Sequence, residues 1–336
     1  MTAALRVLDA GPLATVQGLG RLHAQRYGVA LGGAMDRFAL QAANRLVDNP
    51  PDAAAIEITA GNAGCELLAP LLLAVTGADF GATLDDEPLP AWTTLYARAG
   101  QELRFGLRQE NWGARAYLAV GGGIDVPRVL GARDTNLAGA FGGMDGRPLR
   151  SGDILAGGPA LYDTLPLTGR AWPTWARPPY TAQPLLRVLP GPHLDLFADD
   201  ALAVLCAGSW QIGSQSNRMG YRLAGTALPN VESGNIPSHG VVPGTLQVPP
   251  NGAPILLMAD AQPTGGYPII AVVIAADMPL AAQLLPGDWL HFAPTTLEEA
   301  VGSWRKLTEW QSTPLIPDGI VEQLAWAAAI DVRLAP

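Results

Sequence analysis

Nine residues, DAQPTGGYP at 260–268, put Asp260, Gln262, Thr264, Gly265, Gly266 and Tyr267 between two apolar runs, PILLMA and PIIAVVIAA. A carboxylate accepts from an amide N–H, a glutamine side chain both gives and takes, and paired glycines let backbone N–H groups approach a carbonyl closely. Together these groups suit the binding of a small amide. The plainer alternative is a bulged strand in which Asp260 and Thr264 satisfy local backbone.

A second stretch, SQSNRMGYRL at 214–223, sets Ser216 and Asn217 before Arg218. The only lysine is Lys306, so any carboxylate or phosphate the chain holds must be met by arginine or by backbone N–H groups. Arg218, beside the small polar loop, is favoured over Arg222, with pairing to Asp260 as the structural alternative. His239 is the one histidine of the four in a small, polar, glycine-flanked setting, and imidazole is the side chain suited to moving a proton near neutrality. Gln247 adds a further amide. Asp260 and His239 are thus the candidate catalytic groups. Gln262, Thr264, Gly265, Gly266, Tyr267, Arg218, Ser216, Asn217 and Gln247 are the candidate substrate-binding set. In the other half Asp36, Arg37 and Glu57 are candidates for a partner interface or a second cleft wall, although Asp36 also reads as a helix N-cap.

These groups need a scaffold, and the composition says which kind. Apolar residues make up 49% and charged ones 15%, while 39 glycines and 30 prolines punctuate short apolar runs, so the chain reads as a packed, turn-rich, mainly β protein. Four segments carry helical spacing: 36–47, 195–207, 296–310 and 318–332. The halves resemble each other weakly: APLLLAVTGADF (69–80) matches APILLMADAQPTGG (253–266), and GGAMDRFAL (32–40) matches SQSNRMGYRL. The reading is two tandem β-barrel domains, 1–168 and 185–295, joined by a Pro/Trp-rich linker at 169–184 and followed by a helical extension at 296–336.

Other classes drop out. A net charge of −9 argues against a nucleic-acid backbone as partner. Cys65 and Cys206 lack CxxC spacing and the N-terminus is not signal-like, which predicts a reduced, cytoplasmic protein; scattered histidines predict no metal. No apolar run is long enough for a bilayer. AVGGGIDVP (119–127) lacks both G-x-G-x-x-G spacing and a following lysine, and reads as a β-turn.

In order, GLGRLHAQRYGVALGGAMDRFALQAANRLVDNP, AYLAVGGGIDVPRVLGARDT, SQSNRMGYRLAG, SHGVVPGTLQVPPNGAP and DAQPTGGYP resemble the family that includes the C subunit of 5-oxoprolinase, KipA and allophanate hydrolase subunit 2. The resemblance spans about residues 5–300. It implies a cyclophilin-like β-barrel architecture and two kinds of partner, a B-type (KipI-like) chain and an A-type chain of the 5-oxoprolinase system. The activity it implies is ATP-dependent opening of 5-oxoproline to glutamate by the assembled chains. Biotin-dependent carboxyl transfer, with biotin carried by another polypeptide, is the alternative activity, and a KipA-like regulatory binding protein the non-enzymatic one. Two departures stand out. Pro263 replaces a threonine of the family's Asp-x-Gln-Thr-Thr-Gly-Gly-Tyr loop, and Gln17-Gly18 stands where the pattern has Gln-Asp.

Overall fold

Short apolar runs ending in glycine or in left-handed turns give a mainly β chain. The computed structural model describes residues 2–109, 112–158, 167–228 and 236–315. The second segment read as a C-terminal helix, 318–332, lies outside the described residues.

The N-terminal half runs β1 (Thr2–Asp9), β2 (Leu13–Gln17), α1 (Arg37–Leu46), β3 (Ala55–Thr59), β4 (Ala63–Leu67) and β5 (Leu71–Gly77). It continues through β6 (Thr83–Leu84), β7 (Glu87–Pro88), β8 (Thr94–Ala97), β9 (Glu102–Phe105), β10 (Arg115–Val120) and β11 (Ile154–Gly157). These make two sheets, ordered β11-β1-β4-β9-β6-β7 and β2-β3-β10-β5-β8. Ile56, Ile58, Leu73, Val75 and Leu118 face the core between the sheets. The period-two alternation turns Ala55, Leu72, Ala74 and Tyr117 to the other face, where α1 covers them. Glu57 shares that face, directly across from Tyr117 in the β3–β10 register.

In the C-terminal half come β12 (Leu185–Pro190), α2 (Ala201–Ala207), β13 (Ser209–Ile212), β14 (Gly220–Ala224), β15 (His239–Gly240) and β16 (Thr245–Gln247). Then follow β17 (Ile255–Leu257), β18 (Thr264–Gly265), β19 (Ile269–Val273), α3 (Met278–Ala282), β20 (Trp289–Pro294) and α4 (Leu297–Ser312). Seven strands close a barrel in the order β12-β19-β16-β17-β14-β13-β20, sealed by the parallel pair β12–β20. Trp210, Leu246, Leu256, Ile270 and Phe292 fill it. β15 and β18 stand apart as a two-stranded ribbon. The chain is therefore mainly β, as expected, with the closed barrel in its second half and two packed sheets in its first.

Helix α1 starts where the sequence places it, with Asp36 accepting from the Ala39 N–H as N-cap. Helix α4 opens with a capping box between Thr296 and Glu299. The segment 195–207 is shorter than its apolar spacing suggests, a 3-10 turn at Leu194–Leu196 followed by α2. Helix α3 is capped at its C-terminus by Gln283.

Candidate functional site

Arg218 and Asp260 meet because the β14–β17 pairing continues past both strand ends: Met258 N donates to Met219 O at 3.0 Å and Asp260 N to Arg218 O at 2.9 Å. The side chains then form a two-pronged ion pair, Arg218 Nε to Asp260 Oδ2 at 2.9 Å and Nη2 to Oδ1 at 3.0 Å. Arg218 also donates to Glu57 Oε1 and to the Gly33 carbonyl. Both side chains are buried, at 4% and 7% exposure.

The pair opens onto a network that ties the two halves together. Glu57 Oε2 accepts from Met35 N and from Tyr117 Oη, each at 2.8 Å. Tyr117 Oη accepts from Asp36 N at 2.8 Å, and Asp36 Oδ2 accepts from Tyr180 Oη at 2.7 Å and Gln283 Nε2 at 2.8 Å. Gln283 Oε1 takes the N–H groups of Ala114 and Arg115, and Arg115 donates to Tyr221 Oη at 3.0 Å. Burial alone would lower the pKa of the Arg218 guanidinium, but the charges of Glu57 and Asp260 outweigh it and hold it above the ordinary arginine value. Asp36 is pushed up to about 6, chiefly by burial and against the hydrogen bonds it accepts.

A second cluster lies on the barrel side. The β15–β18 ribbon pairs His239 with Gly265 and Gly240 with Thr264. A side-chain carbon on Gly265 would lie 2.5 Å from Gln247 Nε2, and one on Gly266 3.1 Å from the Ile236 carbonyl. Gly265 therefore serves close packing over Gln247, whose Nε2 donates to the Tyr267 carbonyl at 3.3 Å, and Gly266 close packing on the Ile236 carbonyl. His239 Nδ1 lies 3.2 Å from the Pro237 carbonyl. A carbonyl only accepts, so Nδ1 carries the proton and Nε2 is left as an acceptor. That Nε2 is buried and has no partner among the described residues. His193 packs edge-on at 4.7 Å between ring centroids, and its pKa is lowered by burial and by His239. Ile269 N donates to His193 Nδ1 at 3.3 Å, which puts the His193 proton on Nε2.

The structure thus divides the candidates. Arg218, Asp260, Glu57 and Asp36 belong to the buried network. His239, Gln247, Thr264, Gly265, Gly266 and Tyr267 gather at the ribbon, and Gln262 is half-buried in the same loop. Ser216 and Asn217 close their own turn, accepting from the N–H groups of Arg222 and Met219. Arg37 donates to the Leu19 carbonyl. The sequence reading missed Tyr117, Arg115, Gln283, Tyr180 and His193, and also Arg21 and Asp134, a buried pair beside the glycine-rich turn at 18–20. Only Arg21 carries a local signal, an arginine between glycine-rich turns in a chain almost without lysine.

No group of three or more His, Cys, Asp or Glu among the described residues is placed to hold a metal ion, and no described helix is long and apolar enough to cross a membrane.

Known proteins are similar to this chain over nearly its whole length. It is 40% identical over 322 residues to the C subunit of 5-oxoprolinase from Escherichia coli K12, covering 96% of this chain and 98% of that protein. The corresponding 5-oxoprolinase C subunit of Haemophilus influenzae is 36% identical over 302 residues, covering 89% and 94%. The crystal structure of Kluyveromyces lactis urea carboxylase superposes with a TM-score of 0.84 at 28% identity, over 94% of this chain and 30% of that one. The family described as carboxyltransferase domain, subdomain A and B, matches residues 27–294, and the chain belongs to that family.

Proposed function

We propose that this chain is the C-type component of an ATP-dependent 5-oxoprolinase, opening the lactam 5-oxoproline to glutamate together with A-like and B-like partner chains. The observation that carries the reading is the end-to-end similarity to a 5-oxoprolinase C subunit, covering 98% of that protein. Amide resonance makes the lactam carbonyl a poor electrophile; phosphoryl transfer from ATP to the exocyclic carbonyl oxygen overcomes it. Water then adds at the carbonyl carbon, the ring C–N bond breaks with protonation of the amine, and phosphate leaves, while positioned donors and a base lower the barrier further. His239 suits the base, because its Nδ1–H is held by a carbonyl and its Nε2 is left to accept a proton. Asp260 and Arg218 hold the loop at 260–268 against the N-terminal half.

ATP finds no cradle in the triple-glycine turn. The N–H of Gly121 is taken by the Leu72 carbonyl, that of Gly122 by Asn49 Oδ1 and that of Gly123 by the Val120 carbonyl. We therefore place nucleotide binding away from this turn in the assembled complex. Carboxyl transfer is the second reading, favoured by the superposition on urea carboxylase at a TM-score of 0.84, with biotin arriving on another polypeptide.

The test is glutamate release from 5-oxoproline by this chain assembled with its A-like and B-like partners. ATP-dependent turnover that needs all three supports the reading. A well-assembled complex that is inert toward 5-oxoproline but binds a biotinylated carrier would replace it with carboxyl transfer.

A further inference from the structure

Around the turn at 18–20, three buried side-chain atoms have no hydrogen-bond partner among the described residues: Gln17 Oε1, Arg21 Nη1 and Asp134 Oδ2. The rest of the Arg21 and Asp134 side chains is well held. Arg21 Nε donates to the Val129 carbonyl at 3.2 Å, Nη2 donates to the Asp134 carbonyl, and the guanidinium lies over the Phe141 ring at 4.7 Å. Asp134 Oδ1 accepts from the N–H groups of Gly18 and Gly20. The charged atoms left over are a guanidinium edge and a carboxylate oxygen, both out of water, where unpaired charge is costly.

Two glycines shape the space around them. Gly32 is buried with φ +67°, and a side-chain carbon there would lie 3.4 Å from Arg21 Nη1 and 3.8 Å from Asp260 Oδ1. A space of about methyl size therefore lies beside Gly32, with a charged donor on one side and a carboxylate on the other. Gly18 is the second. A side-chain carbon there would lie 3.2 Å from Asp134 Oδ1 and 3.3 Å from the Asp52 carbonyl, so the Asp134 carboxylate borders the space into which a residue-18 side chain would project. The sequence pattern this chain resembles carries an aspartate at position 18.

We propose that Arg21, Asp134 and Asp260 form an enclosed subsite for a small amide, and that Asp134 supplies from an opposing loop the carboxylate that Gly18 lacks. Ring closure forces a lactam to present its C=O and N–H on one edge. The C=O accepts from Arg21 Nη1, and the N–H donates to a carboxylate oxygen. The subsite rests on the lactam reading above and adds the residues that recognise the amide.

Asp134→Asn is the informative variant, because its Oδ1 keeps the bonds to Gly18 and Gly20 while Oδ2 alone becomes a donor, which repels the substrate N–H. In the assembled complex it is expected to raise KM for 5-oxoproline about tenfold or more, with KM for ATP and the urea-unfolding midpoint unchanged. Gly18 lies outside the left-handed region, so Gly18→Asp in an Asp134→Ser background is expected to restore KM. An unchanged KM in Asp134→Asn overturns the proposal. So does a KM defect that follows a fall in unfolding midpoint and is not rescued from position 18, which would make Asp134 a loop clasp only. A wild-type complex without turnover removes the lactam reading instead. Calorimetry with 5-oxoproline and with urea then decides the subsite: binding weakened by Asp134→Asn supports it, and equal or absent binding in both complexes overturns it.

Discussion

Removing the Arg218 guanidinium would leave the buried Asp260 without its ion pair and Glu57 with only the more distant Arg115, 3.9 Å away. Breaking such a pair from one side typically costs about 3–5 kcal/mol. Arg218→Met is expected to lose stability on that scale in urea unfolding, while Arg222→Ala, at an exposed position, is expected to stay within about 0.5 kcal/mol. Equal effects would remove the assignment of Arg218 to the network. The same reasoning makes Asp260→Asn a poor probe of chemistry, since it weakens the network as well as the loop. His239→Gln is cleaner: kcat of the assembled complex is expected to fall by roughly 10²–10⁴-fold if the imidazole moves a proton, with the melting temperature preserved. An active His239→Gln complex would take the base away from this residue.

At the scale of elements, what the sequence disclosed was local. Asp36 followed by apolar residues at helical spacing announces α1, and Thr296 with Glu299 announces α4. Alternation announces the strands. The network did not announce itself, because its bonds span 161 residues from Arg218 to Glu57 and 247 from Gln283 to Asp36. No local pattern encodes such distances. The likeness between GGAMDRFAL and SQSNRMGYRL shows the same limit, for the first leads into helix α1 and the second into strand β14. The glycine pair at 265–266 was legible as important, but its reason, the approach to Gln247 and Ile236, needed the ribbon. Turn 18–33 tests this logic. Gly33 has φ +83°, and an added carbon would lie 2.6 Å from Gly20 N. Gly33→Ala is expected to cost more than about 1 kcal/mol and to disturb the Gly33 carbonyl that Arg218 uses; a neutral outcome in urea unfolding would show that the turn adapts.

Across the whole molecule, each half has a core of its own, and the polar network joins them together with a third apolar cluster that sets Phe38, Trp92 and Tyr117 against Trp172, Ala176 and Leu307. Wild-type chain is expected to unfold in a single transition and Arg218→Met in two, read by fluorescence and circular dichroism together. Superimposable single transitions in the variant would place the coupling elsewhere. Asp36 adds a pH signature. Its folded pKa, about 6, lies above the ordinary 3.8, so between those values the folded chain holds a proton the unfolded chain has released. That contribution is complete below the lower value and is lost as pH rises through the upper one, by about 3 kcal/mol in total. The stability difference between wild type and Asp36→Asn is expected to shrink as pH rises from 4 to 7 and to level off above; a difference independent of pH would exclude this role.

The seam between β12 and β20 matters also in time. It pairs Leu185 with His291 and Val188 with Pro294, so the first and last strands of the barrel are its closing edges. During synthesis every other barrel strand emerges before the final edge exists. Until Pro294 has left the ribosome, β12 presents an open edge, and an open edge is a template for the wrong neighbour. A nascent chain stalled short of that residue would be the form of this protein most prone to aggregate and most dependent on chaperones.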